Sequence, residues 1–214
     1  MPKGQWKLWC KRSDITAIEA RNGTTRRPKT EAEKEEIFIG AILTQRTNWK
    51  NVEMAINNLR AAKITRLKDI CEQYEREKTR FANLIKPAGF YSQKSNYLYT
   101  LAKFVLQNYK TVGRMREEEL SKLREELLDL KGIGPETADS ILLYALEKPV
   151  FVIDEYTKRI VRAKNLCNNF SYSFLQKLFE ESIQKDYALY QDFHALIVID
   201  GKENGKLNSS NLKL

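Results

Sequence analysis

An aspartate and a short glycine-rich stretch are the residues of this sequence whose types and spacing could do chemistry. Asp154 follows the apolar run 149–153 and stands where a helical pattern begins. The glycine-rich stretch upstream is Lys131-Gly132-Ile133-Gly134. A fixed carboxylate can stabilise a sugar that develops positive charge, and it can orient or deprotonate a water molecule. Aspartate is also a common helix cap, and the two roles can hold at once.

The glycine-rich stretch is predicted to be the turn of a helix-hairpin-helix. Apolar stripes at helical spacing flank it: Leu123, Leu127 and Leu130 before it, and Ala138, Ile141, Leu142 and Ala145 after it. Gly132 and Gly134 can take backbone angles that residues with a Cβ avoid. Pro135 suits the first turn of the second helix. Amides at that helix start favour a phosphate, and Lys131 stands beside them, so the motif is typical of a grip on a nucleic-acid backbone.

The remaining sequence predicts further helices joined by short polar breaks. Thr30 and Glu33 have the spacing of a capping box, which opens a helix ending near Leu43. Pro87 ends a later helix, and Ser92 is a candidate cap for the next one, after a turn at 89–92. No convincing run of alternating strand residues is present, so the predicted fold is all-α.

Composition and charge bound the class of protein. The chain has 214 residues, enough for one domain or two small ones, and its 37 Lys and Arg against 28 acids give a net charge of +9. This excess suits a polyanionic partner, although a lysine-rich proteome would give the same value. Cys10, Cys71 and Cys167 are scattered, which indicates neither a disulfide framework nor a metal site. Without a membrane-length apolar run or a secretory signal, we expect an intracellular protein, cytoplasmic or nucleoid-associated, and monomeric.

Hairpin, intervening helix, apolar run and acid together resemble the helix-hairpin-helix DNA glycosylases, the endonuclease III superfamily. The resemblance runs from about Thr30 to Lys202. It implies two helical lobes with a DNA-binding cleft between them. Residues 29–148 would form a helical barrel ending in the hairpin, and residues 1–28 with 149–214 the second lobe. Asp154 matches the catalytic aspartate of the family, at the mouth of that cleft.

Two differences from endonuclease III indicate which branch of the superfamily the sequence resembles. Relatives that also cut the strand carry a nucleophilic lysine where this chain has Glu136, and a carboxylate cannot form a Schiff base. Gly205 stands where the first cysteine of the iron–sulfur loop would be, and no cysteine follows, so no cofactor is expected. Together with the segment Gly-Phe-Tyr-Ser-Gln-Lys at 89–94, these features are most similar to the 3-methyladenine DNA glycosylase III branch. The resemblance implies a monofunctional glycosylase that removes an alkylated purine from double-stranded DNA and leaves an abasic site.

The base pocket departs from that branch. Arg26-Arg27-Pro28 stands where the branch has a Trp-Trp-Pro that stacks on the flipped base. Arginine planes can stack on bases but repel a cationic alkylpurine, so an oxidised or deaminated base is an alternative substrate. Trp49 is a further pocket candidate, with a core position as its alternative. A non-catalytic helix-hairpin-helix module that only binds DNA is the second class of function.

Base excision from a duplex requires that the nucleotide is flipped out and the gap filled. The resemblance assigns gap filling to Gln45 or Arg46, and a wedge in the opposite strand to Phe90. The alternatives are a polar loop for the first two and a core aromatic for Phe90. Lys94 is a candidate backbone contact. His194, the sole histidine, is interpreted as a packing residue rather than a ligand or a base.

Overall fold

Helices are the regular elements of the described part of the chain. The computed structural model describes residues 27–210, with side chains as far as Gly201. Within that range no strand is present, and the predicted all-α fold is confirmed. Cys10 and Arg26 lie outside the described residues.

Residues Lys29–Leu146 form one compact unit. Its helices are α1 (Glu31–Leu43), α2 (Trp49–Ala61), α3 (Leu67–Leu84), α4 (Tyr91–Asn108), α5 (Val112–Met115), α6 (Leu120–Leu128) and α7 (Pro135–Ser140). A 3₁₀ turn, Lys86–Ala88, precedes α4, and a π-helical turn, Ile141–Ala145, continues α7.

Helix α1 is the centre of this unit. The Thr30 side chain accepts from the Glu33 amide, and Glu33 Oε2 accepts from the Thr30 amide at 2.8 Å, which is the predicted capping box. Phe38, Ile42 and Leu43 are fully buried. The helix packs against α4 and the π-helical turn. Residues 37–43 of α1 are all buried, so the C-terminal half of the helix is enclosed by its neighbours and positions the loop that follows it.

The turn before α4 differs from its prediction. The helix begins at Tyr91, and Phe90 is its N-cap residue with φ 47°. Ser92 therefore lies inside the first turn, and its predicted role as the cap is wrong. The chain reverses earlier than expected because Gly89, at φ 71°, and Phe90 both take left-handed angles. Pro87 lies in the 3₁₀ turn just after α3, as predicted.

The second stripe of the hairpin is helical, but not a regular α-helix throughout. Pro135 occupies the first turn of α7, as predicted. After Ser140 the chain widens into the π-helical turn, whose five residues are all buried. A π turn inserts an extra residue into the helical hydrogen-bond ladder, and this buried turn packs against α1.

A second unit contains Glu147 and the described residues that follow it. Its helices are α8 (Glu155–Ala163), α9 (Tyr172–Ser182) and α10 (Tyr187–Ser210). Phe151, in the buried run before α8, stacks on Phe179 with ring centroids 4.7 Å apart. Its amide donates to Glu180 Oε1 and its carbonyl accepts from Gln176 Nε2, both at 2.8 Å. Helix α9 thus holds both the amide and the carbonyl of Phe151, just before Asp154.

The assignment of residues 1–28 to the second lobe stays a prediction.

Candidate active site

Asp154 is the N-cap residue of α8, as the sequence predicts. The backbone N–H and the hydroxyl of Thr157 both donate to its Oδ1, at 2.8 and 2.9 Å. Its Oδ2 lies 3.5 Å from Nε2 of His194 on α10, and the Asp154 side chain is 14% exposed. The carboxylate is therefore held rigidly while one edge stays accessible.

The surroundings of Asp154 keep it ionised. Burial alone raises the pKa of its carboxyl group, because a charge is less stable away from water. The attraction of His194 and the two hydrogen bonds from Thr157 outweigh burial, and the pKa lies below its ordinary value. The 3.5 Å contact with His194 is at the long limit of a hydrogen bond, and the hydrogen bond and the charge attraction both lower the pKa of Asp154. A partly buried anion at neutral pH is what stabilisation of a cationic sugar requires.

His194 is the site residue that sequence reasoning missed. Its ring does pack, edge-on against Phe151 with centroids 6.3 Å apart, so the packing interpretation is incomplete rather than wrong. A tight contact between α8 and α10 brings it to Asp154: a Cβ on Gly201 would lie 2.7 Å from Cδ1 of Tyr156. The available signal was a single histidine on the last predicted helix, and nothing in local spacing links it to an acid 40 positions earlier.

The hairpin has the geometry that its glycines predict. Gly132 has φ +90°, and a Cβ there would lie 2.5 Å from the ring of Tyr97 on α4, so only glycine fits. Ile133 is buried and anchors the turn, while Lys131 is exposed. Gly134 is the N-cap residue of α7 and has open space around it. The backbone of the hairpin can thus approach a phosphate closely at Gly134.

A partly buried ion pair joins the two hairpin helices. Nε and Nη2 of Arg124 on α6 donate to the two carboxylate oxygens of Asp139 on α7, at 2.8 and 3.1 Å. The Asp139 side chain is fully buried. Two parallel hydrogen bonds fix orientation as well as distance, so the pair sets the angle between the helices.

The two candidates for gap filling in the loop after α1 have different surroundings. Gln45 is half-buried, and its Nε2 donates to the Gly132 carbonyl at 2.9 Å and to the Thr137 hydroxyl at 3.1 Å. Its amide thus ties the loop to the hairpin. Arg46 is exposed, with φ 50°. Both assignments remain predictions, and the geometry favours Arg46 as the side chain that can reach outward.

Phe90 and Lys94 have opposite surroundings. Phe90 is 57% exposed, which excludes the core interpretation and leaves the wedge as its prediction. Lys94 is 2% exposed, and its Nζ donates to the carbonyl oxygens of Leu43 and Ala88, both at 2.8 Å. The prediction that Lys94 contacts the DNA backbone is therefore wrong, because its ammonium group is enclosed by protein.

The other predicted positions lie on both units. Trp49 is half-buried at the start of α2, and Glu136 is exposed in the first turn of α7. Arg27 is exposed, and its Nη1 donates to the Pro28 carbonyl at 3.2 Å. Among the described side chains, no group of three or more His, Cys, Asp and Glu could hold a metal ion. No helix in the described range is long and apolar enough to cross a membrane.

Comparisons with known proteins agree on one family. Residues 39–185 match the model of the HhH-GPD superfamily base excision DNA repair protein. A Methanocaldococcus jannaschii protein named "Putative DNA repair glycosylase" is 42% identical over 169 residues, 76% of this chain and 74% of that protein. Endonuclease III of Thermotoga maritima is 29% identical over 143 residues, 66% of this chain and 62% of that protein.

A solved structure is similar over nearly its whole length. It is the crystal structure of H. pylori 3-methyladenine DNA glycosylase bound to 1,N6-ethenoadenine, with a TM-score of 0.70 and 28% identity. The match covers 89% of this chain and 99% of that one. A non-covalent endonuclease III–DNA complex has a TM-score of 0.61 at 17% identity, which is a likeness of fold alone.

Proposed function

Since this chain belongs to the HhH-GPD superfamily of base excision DNA repair proteins, we propose that it is a monofunctional glycosylase for an alkylated purine. It is a DNA glycosylase of base excision repair, and DNA is its binding partner. The observation that carries the proposal is Asp154, a partly buried carboxylate whose pKa is lowered by its neighbours. A residue needed only as a helix cap would need neither burial nor a histidine beside it.

Asp154 would act on the sugar as the N-glycosidic bond breaks. The bonding electrons leave with the base, and positive charge develops on the deoxyribose. The fixed carboxylate stabilises that charge, and it can accept a proton from the water that attacks the anomeric carbon. Thr157 holds Oδ1 with two hydrogen bonds, so the carboxylate needs no reorientation during the reaction.

The proposal that the enzyme does not cut the strand depends on which amines near the hairpin could act as a nucleophile. Glu136 occupies the position of the lyase lysine in relatives, and a carboxylate forms no Schiff base. Burial lowers the pKa of Lys94 to about 8, which would suit a nucleophile. Its enclosure by two backbone carbonyl groups keeps that amine away from DNA. Lys131 is exposed and better suited to a phosphate.

Two substrate classes are supported by different observations. The similarity to a 3-methyladenine glycosylase over 99% of that chain favours an alkylated purine. The arginines at 26 and 27 favour a neutral base, because a guanidinium group repels a purine that alkylation has made cationic. An oxidised or deaminated base is therefore the second candidate.

A panel of duplexes tests the function, each carrying one lesion: 3-methyladenine, 7-methylguanine, 8-oxoguanine, uracil, hypoxanthine or thymine glycol. We expect strand breaks only after alkali, with an alkylated purine as the best substrate. Asp154→Asn keeps the cap and removes the charge, so its excision rate should fall about 1,000-fold or more while DNA affinity is retained. Breaks without alkali would exclude the monofunctional assignment. Normal excision by the variant would reduce Asp154 to a cap.

A further inference from the structure

A buried lysine links two loops that carry the predicted DNA-inserting residues. Nζ of Lys94, on the first turns of α4, donates to the carbonyl of Leu43 and to the carbonyl of Ala88, each at 2.8 Å. Leu43 is the last residue of α1, and Ala88 ends the 3₁₀ turn. One side chain therefore spans the bases of two loops that are 45 positions apart in sequence.

Each loop presents one exposed residue a short distance beyond its tethered carbonyl. Arg46 lies three residues after Leu43 and has φ 50°. Phe90 lies two residues after Ala88 and has φ 47°. Residues with a Cβ rarely adopt such angles, and they persist only where the surrounding structure holds them. The tether at the base of each loop is such a restraint.

A second contact extends the linkage to the hairpin. The Gln45 amide in the first loop donates to the Gly132 carbonyl and to the Thr137 hydroxyl. Lys94 and Gln45 thus join three segments of one compact unit: the loop after α1, the turn before α4 and the hairpin. These three segments carry the residues predicted to fill the gap, to wedge the opposite strand and to grip a phosphate.

We propose that Lys94 is a positioning residue that fixes the spacing of Arg46 and Phe90, and so acts on nucleotide flipping rather than on phosphate binding. The inference rests on the proposed function, because it takes both residues to enter the duplex. An ammonium group suits the task because it can donate to two carbonyl oxygens at once without a partner charge. An error of about 1 Å in such a spacing can cost about 100-fold in rate.

Lys94→Met tests this role, because methionine fills the same volume without a donor. Single-turnover excision is measured on two duplexes that share one lesion, paired normally in one and placed opposite an abasic-site analogue in the other. The second duplex has no pairing to break, so flipping costs less there. We expect the rate on the paired duplex to fall about 10- to 100-fold more than on the unpaired one. An equal loss on both duplexes would overturn the proposal.

Two further measurements distinguish positioning by Lys94 from phosphate binding and from a general loss of stability. The slope of log affinity against log salt should not change, and a slope lower by about 0.9, the value of one phosphate contact, would also overturn the proposal. Glu35→Gln is the matched control, because Glu35 is a buried carboxylate of α1 whose hydrogen bonds come from Arg66 and the Leu67 amide and not from either loop. It should lower the melting temperature without changing the ratio between the two duplexes.

Failure of the proposed function would be visible separately. A 2-aminopurine beside the lesion brightens when the neighbouring base is flipped, whether or not excision follows. Wild-type protein that gives this signal without excision would refute the glycosylase but keep the loop inference. A Lys94→Met variant with the full wild-type signal would refute the loop inference alone. If that variant does not fold, Lys94→Gln, which keeps one donor group, replaces it and should lose part of the signal.

Discussion

At the scale of single residues, Asp154 combines an observed structural role with a proposed chemical one. As an N-cap it accepts two hydrogen bonds from Thr157, and as an anion it faces His194. The two roles use different oxygen atoms of the carboxylate. Asparagine can replace the first role and not the second, which is why Asp154→Asn is expected to inactivate without unfolding.

The lowered pKa of Asp154 predicts how excision depends on pH. His194→Gln removes the largest of the stabilising influences, so burial raises the pKa and the acidic limb of the single-turnover rate moves to higher pH. The loss of rate should be larger at pH 5 than at pH 7.5. Thr157→Val, which removes only the hydroxyl donor, is the matched variant and should move the limb less. A limb that stays in place in both variants would contradict the electrostatic role of His194.

The lowered pKa of Asp154 also predicts how the stability of the fold depends on pH. The folded pKa of Asp154 lies below its ordinary value of 3.8, so the ionised group stabilises the fold above that pH. That contribution is lost as the pH falls through the folded pKa. In His194→Gln this contribution should be smaller, so the variant should be less stable than the wild type at pH 7, and the difference should shrink as the pH falls below 3.8. Denaturant unfolding followed by circular dichroism at several pH values would show it.

The surroundings of Lys94 and His194 are features that local sequence patterns do not predict. The position of Asp154 at a helix start could be predicted because a cap is a local feature. Lysine is rarely buried, so a lysine on a predicted helix is expected to be exposed. The enclosure of Lys94 depends on the carbonyl of Leu43, 51 positions away in sequence, as well as on that of Ala88 nearby. Contacts of that kind are set by packing, which the local pattern does not contain.

At the scale of elements, α4 supports much of the predicted DNA-binding surface. Its N-cap is Phe90, its first turns carry Lys94, and Tyr97 lies against Gly132 of the hairpin. The helix-hairpin-helix itself could be predicted from its glycines, proline and apolar stripes. The π-helical turn after α7 could not be predicted, because a run of five buried residues fits an α-helix as well as a π-helix.

The two hairpin glycines should respond differently to alanine. In Gly132→Ala the new methyl group meets the Tyr97 ring at 2.5 Å and the backbone stays at φ +90°, so we expect a loss of about 2 kcal/mol of stability and of about 5 °C in melting temperature. Gly134→Ala has open space and φ −95°, so stability should fall less, by about 0.5–1 kcal/mol, because alanine is a poorer N-cap than glycine. If the hairpin grips a phosphate there, this second variant should bind DNA about tenfold more weakly, or about 1.4 kcal/mol. Equal melting temperatures for the two variants would contradict the packing of Gly132.

At the scale of the whole molecule, a net charge of +9 predicts binding that depends steeply on salt. Log affinity for a duplex should fall linearly with log salt, because each phosphate contact releases counterions. Lys131→Ala should reduce the slope by about 0.9. Lys68→Ala, at an exposed lysine paired with Glu72 on α3, should leave it unchanged. A flat dependence in the wild type would refute a phosphate grip altogether.

The division of the chain also fixes the order in which its parts are made. Residues 29–146 are contiguous, and they hold the hairpin, both loops and Lys94, so a ribosome completes them before Asp154 is synthesised. His194 follows another 40 residues later. Synthesis at about 5–20 residues per second gives the first unit several seconds before the acid has its partner. If the proposed roles hold, the segments predicted to hold DNA are therefore complete before the carboxylate proposed to excise the base meets its histidine.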